Sequence, residues 1–119
     1  DANSSFHQKA VAHLSDPGFD FFTTTKNISE LFAVLSKQNQ PFAKVFQFYQ
    51  SILANTTLLF PTLSSLAIFE ILLQKYQPQG NRVFDIEIVS IALSNQIQDI
   101  SSVNVKDFAG ISEVTLRQI

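Results

Sequence analysis

Val83-Phe84-Asp85-Ile86-Glu87-Ile88-Val89-Ser90-Ile91-Ala92-Leu93-Ser94-Asn95 is apolar nearly all round a helical wheel, apart from Asp85 and Glu87 at its start and Ser90 and Ser94 further on. A helix without a polar face is usually a buried one, so this segment predicts a core element. Its flanks give it a place. Upstream, Leu58-Leu59-Phe60 is a short apolar run closed by Pro61; downstream, Ile100 to Val103 reads as another short strand. Short strands separated by helical crossovers imply a mostly parallel sheet.

Working outward, the same alternation continues to both ends. Val105 to Phe108 reads as a helical turn and Val114 to Leu116 as a last strand. Thr62 can cap a long helix running to about Tyr76, and Gln77 to Asn81, with Pro78 and Gly80, is a loop. Phe42, Val45, Phe46, Tyr49, Ile52 and Leu53 form the best helical stripe in the chain. Gln38 to Pro41 connects it to a helix opened by Asn27, with Glu30 three residues on in a capping-box arrangement and Ile28, Leu31, Phe32 and Leu35 on one face. Phe19 to Thr23 reads as an aromatic strand, Asp16-Pro17-Gly18 as a turn, and Ser5 to Leu14 as a short amphipathic helix. One α/β domain over residues 1–119 is the expectation. It opens with a helix, where α/β domains usually open with a strand.

Composition limits what such a domain can do. The 119 residues suffice for one core, and 45% apolar with 15% charged residues is an ordinary globular ratio. The net charge of −2 provides no basic field for wrapping duplex nucleic acid, and is neutral on an enzyme that grips a short RNA locally. With no cysteine there is no thiolate nucleophile or cysteine metal site, which fits a reducing, cytoplasmic setting. No signal peptide opens the sequence and no run is long enough to cross a membrane. The Asn-x-Ser/Thr sequons at Asn3, Asn27 and Asn55 are better explained by chance than by secretion. The absence of methionine, even at position 1, predicts a processed or partial product.

Several chemistries drop out. The glycines are isolated, so no loop cradles a phosphate, and no Gly-x-Ser-x-Gly elbow marks a nucleophile. His7 and His13 do not have the spacing of a ligand pair on one helix. The carboxylates remain. In a parallel sheet, functional groups gather at the carboxyl ends of strands. Glu30 follows the Phe19–Thr23 strand, Asp85 opens the buried helix, and Asn104 and Asp107 follow the Ile100–Val103 strand. Oxygen ligands converging there would suit Mg²⁺ or Mn²⁺. Each also has a plainer reading: Glu30 as the partner of an Asn27 cap, Asp85 as an anion at a helix N-terminus, Asp107 as a residue stabilising its turn.

Four segments together resemble a known family. Ser5-Phe6-His7-Gln8-Lys9-Ala10 resembles the Ser-Pro-Phe-His segment of bacterial PIN domains. Phe21-Phe22-Thr23-Thr24-Thr25-Lys26-Asn27-Ile28-Ser29-Glu30-Leu31-Phe32 resembles their second strand running into an Asn-Leu-Ala-Glu-Phe helix. Val83-Phe84-Asp85-Ile86-Glu87-Ile88-Val89 resembles Val-His-Asp-Ala-Arg-Leu-Val, and Asn104-Val105-Lys106-Asp107-Phe108 matches Asn-Val-Lys-Asp-Phe as it stands. The four occur in register across essentially the whole chain.

The resemblance implies a three-layer PIN-like α/β fold, a mostly parallel central sheet flanked by helices, of the kind found in VapC-type toxin ribonucleases. It implies Mg²⁺ or Mn²⁺ bound by acidic residues that hydrolyse RNA, with Glu30 as the second acid and Asp85 as the third. Asn104 stands where many members carry the fourth acid, Asp107 at a further position that is often acidic, and Ser102 where a hydroxyl lines the substrate site. The implied partners are an RNA substrate, a cognate antitoxin and a second copy in a homodimer. Two departures accompany it. The family's first, central strand and its Asp-x-Asn motif have no counterpart, since Asp1-Ala2-Asn3 is not preceded by a strand, and Phe84 replaces a histidine. The domain is therefore expected to be incomplete at its amino end, and a degenerate module that binds without cutting is the alternative to a ribonuclease. Glu30, Asp85 and Asp107 are expected to have their carboxylates within reach of one shared cavity, with Asn104 alongside.

Overall fold

The apolar run at 83–95 is a helix and it is buried. In the computed structural model, which describes residues 20–102 and 105–118, Ile86, Ile88, Val89, Ser90, Ile91 and Ala92 are all buried within the helix Arg82–Ser94. The one buried hydroxyl in that set, Ser90, donates to the carbonyl of Ile86 at 2.8 Å, so it carries no unmet hydrogen bond into the core.

The described elements run β1 (Phe22–Thr24), α1 (Thr25–Lys37), α2 (Phe42–Asn55), β2 (Thr57–Leu59), α3 (Leu63–Tyr76), α4 (Arg82–Ser94), β3 (Asp99–Ser102), a 3-10 turn (Val105–Phe108) and β4 (Thr115–Gln118). This is the expected α/β alternation, and every described strand pair is parallel. The described strands form two two-stranded sheets, β1 with β2 and β3 with β4. Phe22 pairs with Thr57 in the first, and Asp99 with Thr115 in the second. The chain forms two compact units that divide between Leu59 and Phe60, one sheet in each. The Ser5–Leu14 helix and the Asp16–Gly18 turn lie outside the described residues, as does Phe19 of the first strand.

In the first unit, α1 starts two residues earlier than Asn27 because Thr24 is the better cap. The Thr24 hydroxyl accepts from the Asn27 amide at 3.1 Å, and the Asn27 side chain accepts from the Thr24 amide at 3.1 Å. The reciprocal cap is therefore closed by Asn27, and Glu30 has no part in it. The stripe read along α2 divides in two. Val45 and Phe48 are buried and Ile52 half-buried, whereas Phe42, Phe46 and Leu53 are exposed. A helix with apolar residues on two faces can bury only one of them in a unit this small.

In the second unit, Thr62 caps α3 as expected, its hydroxyl accepting from the Ser65 amide at 3.1 Å while Ser65 Oγ accepts from the Thr62 amide at 2.7 Å. Helix α3 ends at Gln77, which adopts the left-handed conformation, φ 46°. Leu72 of α3, Ile86, Ile88 and Val89 of α4, Phe108 of the 3-10 turn and Ile111 beyond it form one core cluster. Ile100 and Leu116 of the two strands pack against it. No helix among the described residues is long and apolar enough to cross a membrane.

Candidate functional site

The sequence singles out five residues, which fall in different places. Glu30 lies on α1 in the first unit and is half-buried. Asp85, Ser102 and Asp107 lie in the second unit, and Asn104 lies outside the described residues.

Asp85 stands in the first turn of α4. Asn81 at the start of that helix makes no side-chain capping bond, so the aligned peptide dipoles favour an anion in the first turn. Asp107 is exposed on the 3-10 turn that packs against α4. Arg82, one helical turn before Asp85, donates from Nη2 to the carbonyl of Ala109, two residues after Asp107. That bond fastens the start of α4 to the end of the turn. Gly110 follows with φ +84°, a left-handed conformation that strains a side-chain-bearing residue. Ser102 closes β3 and is half-buried.

Asp85 and Asp107 are hard oxygen donors, the kind Mg²⁺ and Mn²⁺ prefer. By donor type they suit such an ion. By number they fall short, since no three His, Asp or Glu side chains among the described residues gather in one place.

Two features of the structure escape a sequence reading. The first joins the end of α3 to the loop before β4. Lys75 Nζ lies 2.6 Å from Glu113 Oε2, and the Tyr76 hydroxyl donates to Glu113 Oε1 at 2.5 Å. The Ser112 amide in turn donates to the Tyr76 hydroxyl at 3.0 Å. Burial pushes the Glu113 carboxyl up, but the hydrogen bonds from Lys75 and Tyr76 and the nearby ammonium outweigh it, and the group sits below its ordinary value. Lys75 is raised by its hydrogen bonds to Glu113 and Tyr76. The partners are 36 to 38 residues apart in sequence, so no local pattern announces them.

The second is aromatic. Phe42 stacks on Phe46 with ring centroids 5.8 Å apart, and Tyr49 lies 5.4 Å from Phe46 and 5.5 Å from Phe32. Beside these rings, a cavity of about 330 Å³ is lined by Phe32, Ser36, Asn39, Gln40, Phe42 and Val45, all on α1, α2 and their connection. The helical stripe was visible in the sequence; that half of it stays in solvent was not.

Comparison with known proteins gives a structural likeness. The fold is similar to a solved structure described as VapBC-1 from nontypeable Haemophilus influenzae, with a TM-score of 0.64 and 19% identity over 96% of this chain and 84% of that one. No family model matches the sequence, and no curated protein matches it either. At that identity the likeness establishes the fold: a PIN-like mixed α/β arrangement with short parallel strands.

Proposed function

We propose that this chain is a PIN-type endoribonuclease dependent on Mg²⁺ or Mn²⁺, the toxin half of a bacterial type II toxin–antitoxin pair with a cognate antitoxin as partner. The observation that carries the reading is the position of Asp85 and Asp107. One opens the buried helix α4 and the other lies on the turn packed against it, in a fold similar to that of VapBC-1. Glu30, Asp85, Asn104 and Asp107 are the residues assigned to the metal, and Ser102 to the substrate. When bound, the cation supplies an activated water and offsets charge growing on the scissile phosphate. The protein's own part is to hold the carboxylates: Arg82 ties the turn bearing Asp107 to the helix bearing Asp85 through the Ala109 carbonyl.

The test is Asp85→Asn, assayed for cleavage of single-stranded RNA with Mg²⁺ or Mn²⁺ and with chelator. Losing one anionic ligand is worth several kcal/mol in such sites, so cleavage should fall by about a hundredfold or more. Full cleavage by the variant, or by the parent chain in excess chelator, refutes the assignment. A second reading, a module that binds RNA without cutting it, is favoured by the lack of three gathered ligand side chains among the described residues. RNA binding without cleavage in either metal would select it.

A further inference from the structure

We propose that Lys75 and Tyr76 at the end of α3 form, with Ser112 and Glu113, a proton-operated latch on the segment from Ser112 through β4. With Glu113 ionised the latch holds that segment, and protonation of the carboxylate lets it open while α4 stays enclosed. The latch stands whether or not the chain cuts RNA. Tyr76 is its centre. Its hydroxyl accepts from the Ser112 amide at 3.0 Å and donates to Glu113 Oε1 at 2.5 Å, so one oxygen fixes both the backbone and a side chain of the loop. Lys75 Nζ takes the other carboxylate oxygen, Oε2, at 2.6 Å and stands 3.4 Å from Ser112 Oγ. Both Glu113 oxygens thus meet donors, an arrangement that favours the charged form.

These bonds fall where the packing thins. Ile111, 3% exposed, is the last buried side chain among the described residues; after it Val114 and Leu116 are half-buried, and Thr115, Arg117 and Gln118 are exposed. Strand β4 is four residues long and pairs with β3. The Asp99–Arg117 pair that spans the two strands is 3.8 Å apart, with side chains 58% and 48% exposed, a geometry worth little. Short segments with few buried contacts open locally at low free energy, so the fastening at Ser112 and Glu113 sets how often this one does. The groups that act on Glu113 are Lys75, Tyr76 and its own backbone amide, and Lys75 is the one charge among them. A solvent proton that settles on the carboxyl removes the attraction to the ammonium and occupies an oxygen that had been an acceptor. The latch is therefore closed above the ordinary carboxylate range and opens as pH falls through the lowered value of Glu113.

The experiment follows amide exchange by NMR in the full chain, corrected for intrinsic rate, from neutral pH down through the carboxylate range. Ser112 and Thr115 report the latch, the second through its bond to the Gln98 carbonyl, and Val89 of α4 reports the core. In the parent chain, Ser112 and Thr115 should quicken about tenfold through the titration, the loss of one hydrogen bond to a charged group, with Val89 still protected. Glu113→Gln should exchange about tenfold faster at both amides already at neutral pH and lose the titration. Tyr76→Phe, the milder change, should quicken both about fivefold at neutral pH. Asp99→Asn should titrate as the parent does. Ser112, Thr115 and Val89 quickening together would show global unfolding in place of a latch and overturns the proposal. So does a titration that survives Glu113→Gln or disappears in Asp99→Asn, and so does a Tyr76→Phe chain in which Ser112 and Thr115 exchange at the parent's rate.

Discussion

The two units of this chain solve the same problem to different depths. The second wraps α3, the 3-10 turn and a two-stranded sheet around α4, and six of its apolar side chains form one buried cluster. Among the described residues the first has two helices and a sheet of equal strand number, yet its buried apolar side chains there are Val45 and Phe48 alone, and α1 has none. Both are rich in apolar residues. What differs is how they are arranged: α4 is apolar on all sides and is enclosed, whereas α2 is apolar on two faces and has one covered. Burial of apolar area drives folding, and among the described residues the second unit holds the larger buried cluster.

The strongest way to break this comparison is a core truncation. Ile86 is fully buried, and Ile86→Ala should cost about 2–5 kcal/mol. Phe42→Leu should leave stability within about 0.5 kcal/mol, as exposed substitutions do. Urea or thermal unfolding of both variants is the measurement, and similar losses would erase the contrast.

A smaller effect sharpens it from the other side. In the first unit the Thr24–Asn27 cap is buried at Thr24. Thr24→Ala should cost about 1 kcal/mol, and amide exchange should quicken along α1 while α4 stays protected. Uniform quickening in both units would count against the division.

An effect of similar size concerns the polar tie in the second unit. Tyr76→Phe removes a hydroxyl that donates to Glu113 and should cost about 1 kcal/mol at neutral pH. The sign of its pH dependence follows from Glu113, whose carboxyl is held below its ordinary value. The folded chain binds that proton less readily than the unfolded one, so the tie contributes in full above the ordinary carboxylate range and is lost as pH falls through the lowered value. The parent and Tyr76→Phe unfolding curves should converge in acid, and a gap unchanged below that range would dissociate Glu113 from the tie.

How much of this was legible depended on the range of the interaction. The buried α4, the Thr62 cap and the parallel alternation all announce themselves within a few residues, and all appear in the structure. The start of α1 did not, because Thr24 and Asn27 compete for one cap and only backbone geometry decides between them. Which strands pair was not legible, because sheet order is a long-range property. At the candidate site, the sequence marked Asp85 and Asp107 but not Arg82, whose role depends on a carbonyl 27 residues away. The Lys75–Tyr76–Glu113 tie was invisible for the same reason.

The parallel pairing of β3 with β4 bears on how fast each part of the chain assembles. Residues 103–114 separate those two strands, whereas 25–56 separate β1 from β2. Closing a loop costs entropy that grows with the logarithm of its length, and the longer connection carries about 0.9 kcal/mol more of it. A helix that forms early shortens the effective loop, but α1 and α2 must both form and dock before β1 can meet β2. Among the described residues the shorter crossover holds a single 3-10 turn. During synthesis the first unit leaves the ribosome ahead of the second. The segment that emerges last is thus the one built to close soonest, and the aromatic helix pair spends the longest time waiting for its strands.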